Sequence, residues 1–179
     1  VNTKNGIDIS NVTRLEIGSG NKPVPGYTRI DIEPHQFVDI VGDFRTMTFS
    51  NLEEVRSHHL LEHFGYDESI EVLKLWKSWL MIGGRLTVET PDFGRICEVW
   101  NEKKYWADKE HLAKHAYGSQ EADWAYHKSA WYKEKFQDIL PKIGFYIELI
   151  KQKHSYIRYG EKRTRYRFPN ILVIAKRII

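Results

Sequence analysis

Apolar positions along this chain follow two alternating spacings. Short runs bounded by turn residues read as strands, and stretches recurring every three or four residues read as helices. Leu15-Glu16-Ile17 runs into Gly18-Ser19-Gly20, a first buried strand ending in a tight turn. Thr28 to Ile32 is the second strand and Phe37 to Val41 the third. Glu53 to His59 enters a fourth, which is left at Leu60-Leu61-Glu62-His63-Phe64. Asp67 suits a helix N-cap; Val72, Leu75, Trp76, Trp79 and Leu80 then share one apolar face, and Gly83-Gly84 is the expected stop. Arg85 to Thr90 is a fifth strand, closed by Pro91. Asp92 caps a helix with Phe93, Ile96, Cys97 and Trp100 along one side, so Cys97 reads as a packed thiol. A last helix begins at Ser129, turns Phe136, Ile139, Leu140 and Ile143 inward, and ends at Gly144. Phe145 to Lys151 and Ile171 to Lys176 complete the strands, joined by a basic loop over 151–170. Strands alternating with helices predict an α/β fold, a sheet with helices on both faces.

Size and composition narrow the class. The 179 residues suit one domain spanning 1–179, and 41% apolar residues are enough for a core. There is no run of 18 apolar residues, and no charged-then-apolar leader precedes residue 15, so the expectation is a soluble, cytoplasmic protein with no membrane partner. Cys97 is the only cysteine, which excludes an internal disulfide and fits a reducing compartment. The net charge of +3 is unevenly distributed. Residues 151–179 carry nine Lys/Arg against Glu161 alone, whereas residues 1–150 carry 18 against 23 acids. That split suggests either an anionic partner or a solvated basic loop. Residues 105–127 interrupt the pattern with Tyr105, Trp106, His111, His115, Tyr117, Trp124, Tyr126 and His127. Such an insertion can form a lid or simply pack as a surface helix.

The candidate chemistry begins at the glycine turn. Gly-x-Gly after a buried strand lets a ligand lie against bare backbone. Asp31, ending the next strand, can accept hydrogen bonds from both hydroxyls of a ribose. Together they point to a nucleoside cofactor. A dinucleotide site needs a third glycine opening a helix, but Pro23 stands there and Asn21 to Gly26 cannot begin an ordinary helix. The Gly-Lys-Ser/Thr of a phosphate loop is missing too. S-adenosylmethionine has no phosphate, and a bare Gly-x-Gly hook suffices for it. After the third strand, Asp43 can accept from an adenine amino group, with Phe44 beside the ring.

The order of parts resembles the class I S-adenosylmethionine-dependent methyltransferases, in particular a small type-11-like branch. The resemblance runs from about Arg14 to Arg177. It rests on Leu15 to Pro23, Ile30 to Pro34, Gly42-Asp43, Ser57 to His63, Gly83 to Leu86 and Thr90 to Asp92. It implies a Rossmann-like, seven-stranded, mostly parallel sheet whose last strand, Ile171 to Lys176, is antiparallel. It also implies S-adenosyl-L-methionine as cofactor. Gly18, Ser19 and Gly20 would pass under its methionine part, with Glu16 near the amino group. Asp31 and Ile32 would hold the ribose side, Asp43 and Phe44 the adenine, and His58 would flank the cofactor. One departure stands out: a proline loop replaces the first helix after the glycine turn.

A sulfonium cofactor supplies the electrophile, so the chain must align the acceptor and take its proton if it is a hydroxyl. His59 and His63 are the candidate bases. His59-Leu60-Leu61-Glu62-His63 also spells H-x-x-E-H, but a zinc protease needs both histidines on one helix, and His59 ends a strand. Related methyltransferases with E-x-x-E-H here bind a divalent metal. For this chain a metal at His59, Glu62 and His63 stays open and no residue is assigned to one. The expected activity is methyl transfer to an oxygen or nitrogen of a small-molecule or glycan acceptor. Alternatives are an RNA 2′-O-methyltransferase using the basic loop, and a catalytically silent cofactor-binding partner subunit.

Overall fold

The computed structural model describes residues 2–3, 8–21, 24–104, 106–159 and 164–179, and side-chain surroundings for all of these except 2–3, 155–159 and 164–167. The strands are β1 (Asn2–Thr3), β2 (Arg14–Ile17), β3 (Thr28–Asp31), β4 (Ile40–Val41), β5 (Leu52–His58), β6 (Leu80–Pro91), β7 (Phe145–Tyr159) and β8 (Thr164–Arg177). The helices are α1 (Tyr66–Trp79), α2 (Phe93–Glu102), α3 (Trp106–Tyr117) and α4 (Lys133–Lys142). The strands form one sheet in the order β1-β4-β3-β2-β5-β6-β8-β7. The pairs from β4 through β6 are parallel, and β8 runs antiparallel to both β6 and β7. The expected seven-stranded sheet with its antiparallel last strand is therefore present, with β1 added at one edge.

Alternation along the strands sorts the two faces. Leu15, Ile17, Val55, Leu86, Val88, Val173 and Ala175 are buried on one face, against Trp76 and Trp79 of α1 and Phe136 and Leu140 of α4. Phe168 and Asn170 lie on the other face of β8, where His115 of α3 stacks on Phe168 and bonds Asn170. Farther along that second face, β2, β5 and β6 present charge. Arg14 pairs with Glu54, which also accepts from Thr87 Oγ1; Arg56 pairs with Glu16. Polar residues fit there because no helix follows β2: among the described residues of 18–27 none is helical, as the prolines dictate. Lys22 and Pro23 themselves lie outside the described residues.

Five readings of the sequence need correction. Gly83-Gly84 does not stop a helix. Gly65, not Asp67, is the N-cap of α1; α1 ends at Trp79, Leu80 already belongs to β6, and the two glycines sit inside that strand where its register with β5 shifts. Cys97 is exposed, because α2 buries Ile96 alone and leaves Phe93 and Trp100 in part to solvent. The last helix starts at Lys133 rather than near Ser129. Most consequentially, the described parts of the basic loop over 151–170 are strand: β7 and β8 pair from Phe145–Arg177 out to Tyr159–Thr164. Residues 160–163 of that expected loop lie outside the described residues. Among the described residues no helix is long and apolar enough to cross a membrane.

Candidate active site

A cavity of about 340 Å³ opens at the carboxyl ends of the parallel strands, the position where open α/β sheets bind ligands. Its floor is Ile17, Gly18 and Gly20 from the turn after β2. One wall is Ile30, Asp31, Ile32, Glu33 and His35; the far end is Gly42, Asp43, Phe44 and Arg45. His59, Leu60, His63 and Phe64 face them from the turn after β5, joined by Glu68 of α1 and by Trp124 and Lys128.

The glycine turn is held from both sides. Gly18 N–H donates to the Ile30 carbonyl at 2.9 Å, and Gly20 N–H to Asp31 Oδ2 at 2.7 Å. Gly18 has φ +69°, and a Cβ there would lie 3.1 Å from the Leu60 side chain, so any other residue is strained at this position. At Gly20, φ +54°, a Cβ would meet nothing within 4 Å. Bare backbone therefore faces open space beside a carboxylate. Glu33 N–H donates to Asp31 Oδ1 at 3.0 Å. Each oxygen is thus fixed by one backbone donor and keeps lone pairs for further donors. Ile32 is 59% exposed and adds an apolar side chain to the cavity wall.

The expected site residues divide. Gly18, Gly20, Asp31, Ile32, Asp43, Phe44, His59 and His63 all line the cavity. Ser19, Glu16 and His58 are not among its lining residues. Glu16 and His58 point to the charged sheet face, since their neighbours in the alternation, Ile17 and Ser57, take the core side. There Arg56 bridges them, 2.9 Å from Glu16 Oε2 and donating to His58 Nε2 at 3.1 Å. Asp43 caps the short turn Phe44–Thr46 and is engaged by Arg45, whose Nη2 lies 2.7 Å from Oδ2. That guanidinium holds the Asp43 carboxyl below its ordinary pKa. Asp43 thus closes the cavity as a neutralised pair. Arg45, Glu33, Trp124 and Lys128 were not anticipated as site residues, although Trp124 lies in the aromatic insertion; an exposed tryptophan there was the available signal.

The histidines form an ordered chain. His59 has φ +54° and leaves β5 in a left-handed turn that brings it to the cavity. Its Nδ1 lies 3.2 Å from Glu62 Oε1, and the Asn170 side-chain amide lies 3.2 Å from its Nε2. Asn170 Nδ2 also donates to Glu89 Oε1 at 3.1 Å, and its Oδ1 lies 2.9 Å from His115 Nε2. Lys153 caps Glu89 Oε2 at 2.6 Å. These partners assign His59 the tautomer with a proton on Nδ1 and a lone pair on Nε2. Burial holds His58 and His115 down to about 4, so both are neutral at physiological pH. Glu62 is fully buried, yet the imidazoles around it, His59 foremost, outweigh that desolvation and hold its pKa below the ordinary value.

Glu16 carries a pH dependence of its own. Burial pushes its pKa up to about 7 despite Arg56 beside it. A raised carboxyl pKa contributes stability below the unfolded-state value near 4.5, and that contribution is lost as pH rises through 7. Glu16→Gln has no such charge to bury. Between pH 4.5 and 8 the variant is expected to gain up to about 3 kcal/mol on the parent in urea unfolding. A pH-independent difference would contradict this burial.

No protein-family model and no curated protein matches the chain. Solved structures do. An S-adenosylmethionine-dependent methyltransferase of Methanosarcina mazei superposes with a TM-score of 0.62 at 15% identity, over 95% of this chain and 94% of that one. A candidate methyltransferase of Bacillus halodurans gives 0.60 at 16% identity over 95% and 94%. Magnesium protoporphyrin IX methyltransferase of Synechocystis, solved with S-adenosylhomocysteine bound, gives 0.55 at 12% identity over 95% and 76%. At such identities the likeness shows the fold, that of class I methyltransferases.

Proposed function

We propose that this chain is an S-adenosylmethionine-dependent methyltransferase acting on an oxygen or nitrogen of a small-molecule or sugar-type acceptor. One juxtaposition carries the reading: the bare Gly20 backbone opens beside an Asp31 carboxylate already oriented by two backbone donors. The described residues of the loop after β2 present no helix N-terminus to a pyrophosphate, so a phosphate-free nucleoside suits it best. Gly18 and Gly20 would cradle the amino-acid portion, Asp31 the ribose hydroxyls, and Ile32 and Phe44 the purine faces. The bound sulfonium would supply an electrophilic methyl group. His59 is the better placed of the two candidate bases. Glu62 orients its Nδ1–H, and its Nε2 lone pair is able to take an acceptor proton once Asn170 yields the contact.

Small acceptors are favoured over RNA in that two basic residues of the hairpin are engaged by acids, Lys153 by Glu89 and Lys176 by Glu148. Incubation with methyl-labelled cofactor and fractionated host extract tests this. Label in the small-molecule or glycan fraction is the expected outcome. Label in RNA overturns the acceptor, and bound cofactor with no labelled product in any fraction favours a silent binding subunit.

A further inference from the structure

The turn after β5 and the insertion meet at a second set of groups, and its third member is not the one the H-x-x-E-H pattern suggests. Glu62, His63 and His127 each offer a ligand atom within 4.8 Å of the others. His59 is outside this set, and His127 arrives from a segment 64 residues farther along the chain. The segment is pinned there: Lys128 and Ser129 N–H both donate to the Glu62 carbonyl, at 2.8 and 3.1 Å, and His127 N–H to the Tyr117 carbonyl at 3.0 Å.

Both histidines are prepared as ligands. His63 Nδ1 lies 3.1 Å from the Tyr126 carbonyl and His127 Nδ1 lies 3.3 Å from the Ala116 carbonyl. A carbonyl accepts only, so each Nδ1 carries a proton, and in the neutral ring each Nε2 then keeps the lone pair. Donation from the far nitrogen to backbone is the arrangement that fixes metal-binding imidazoles. Their rings meet edge to face at 4.8 Å. Between them Glu62 is 1% exposed, with Oε1 on His59 and Oε2 lacking any hydrogen-bond partner. A buried carboxylate oxygen left without a donor is costly unless a cation satisfies it.

We propose that the Glu62 carboxylate, His63 Nε2 and His127 Nε2 bind one divalent transition-metal ion. Two imidazoles and a carboxylate favour zinc, iron or cobalt over magnesium. Metal–ligand bonds of about 2.0–2.2 Å put tetrahedral donors about 3.4 Å apart, so the set closes by roughly 1 Å on binding. Three protein ligands leave a position open, and one of them, His63, also lines the cavity. There the ion would take the oxygen of a hydroxyl acceptor and make its proton easier to remove. The acceptor role rests on the methyl-transfer reading; metal binding does not.

Titrating Co²⁺ and Zn²⁺ into the chelator-stripped full chain tests the site, with S-adenosylhomocysteine affinity measured separately on the same protein. One equivalent of Co²⁺ should bind, giving visible ligand-field absorption and two paramagnetically shifted, slowly exchanging imidazole N–H resonances from the carbonyl-held Nδ1 protons. Glu62→Gln and His127→Gln should each weaken Zn²⁺ at least tenfold, and His111→Gln should leave it unchanged. Absence of stoichiometric binding to the parent chain, or Co²⁺ binding without shifted imidazole protons, overturns the proposal. This holds even if a variant fails to fold. Cofactor binding without metal binding would remove this inference alone; metal binding without cofactor binding would remove the methyl-transfer reading and leave the metal site.

Discussion

Asp31→Ala is expected to lower affinity for S-adenosylmethionine and S-adenosylhomocysteine at least about 100-fold in isothermal titration. The ribose hydroxyls would each donate to one carboxylate oxygen, and hydrogen bonds to a charged acceptor are worth about 1.5–3 kcal/mol apiece. Two such bonds amount to about 3–6 kcal/mol, and every 1.4 kcal/mol is tenfold. The substitution also releases Gly20 N–H and Glu33 N–H, whose bonds to Asp31 shape the floor and one wall of the cavity. Asp31→Asn separates the two effects. An amide oxygen can still accept from the Gly20 backbone, but an amide lacks the charge and the second acceptor, so a partial loss is expected. If alanine left the affinity unchanged, the ribose would not sit at Asp31.

Trp76→Ala is expected to destabilise the fold by about 3 kcal/mol, read as a lower urea midpoint at unchanged slope. Trp76 is fully buried and leans on Phe44 at 5.9 Å, while Phe44 meets Phe64 edge-on at 5.8 Å. Truncating a buried tryptophan usually costs about 3–5 kcal/mol. The Trp76 indole N–H has no hydrogen-bond partner, so its removal offsets part of that loss and places the result at the lower end. Trp76→Phe, which deletes the N–H and keeps most of the ring, should be close to neutral. Phe44 and Phe64 both line the cavity, so the alanine variant should also bind cofactor more weakly in proportion to the slackened wall. A loss below 1 kcal/mol would mean that the aromatic cluster does not support the site.

Much of this site was legible in the sequence because its signals are local. Gly18, Gly20 and Asp31 lie at the ends of adjacent strands, and the chain chemistry that puts them there is contained in 17 consecutive residues from Leu15 to Asp31. Pro23 excluded a first helix, and the described part of that loop has none. What was misread depended on contacts between distant segments. The resemblance puts Glu16 and His58 near the cofactor; strand alternation turns both to the charged sheet face, where Arg56 joins them, and neither lines the cavity. The basic run over 151–170 suggested a solvated loop, whereas its pairing with itself extends two strands. Lysine and arginine on a strand look the same in sequence as on a loop. Gly83-Gly84 resembled a helix stop because a doubled glycine marks either a terminus or a strand irregularity. The approach of His127 to Glu62 and His63 has no local signature at all.

The account depends above all on what occupies the cavity beside Asp31. Titration of the unmodified chain with S-adenosylhomocysteine, with NAD and ATP in parallel, tests that directly. The prediction is one-to-one binding of S-adenosylhomocysteine, lost in Asp31→Ala, with NAD and ATP silent. Binding of a phosphate-bearing nucleotide in its place would contradict the account.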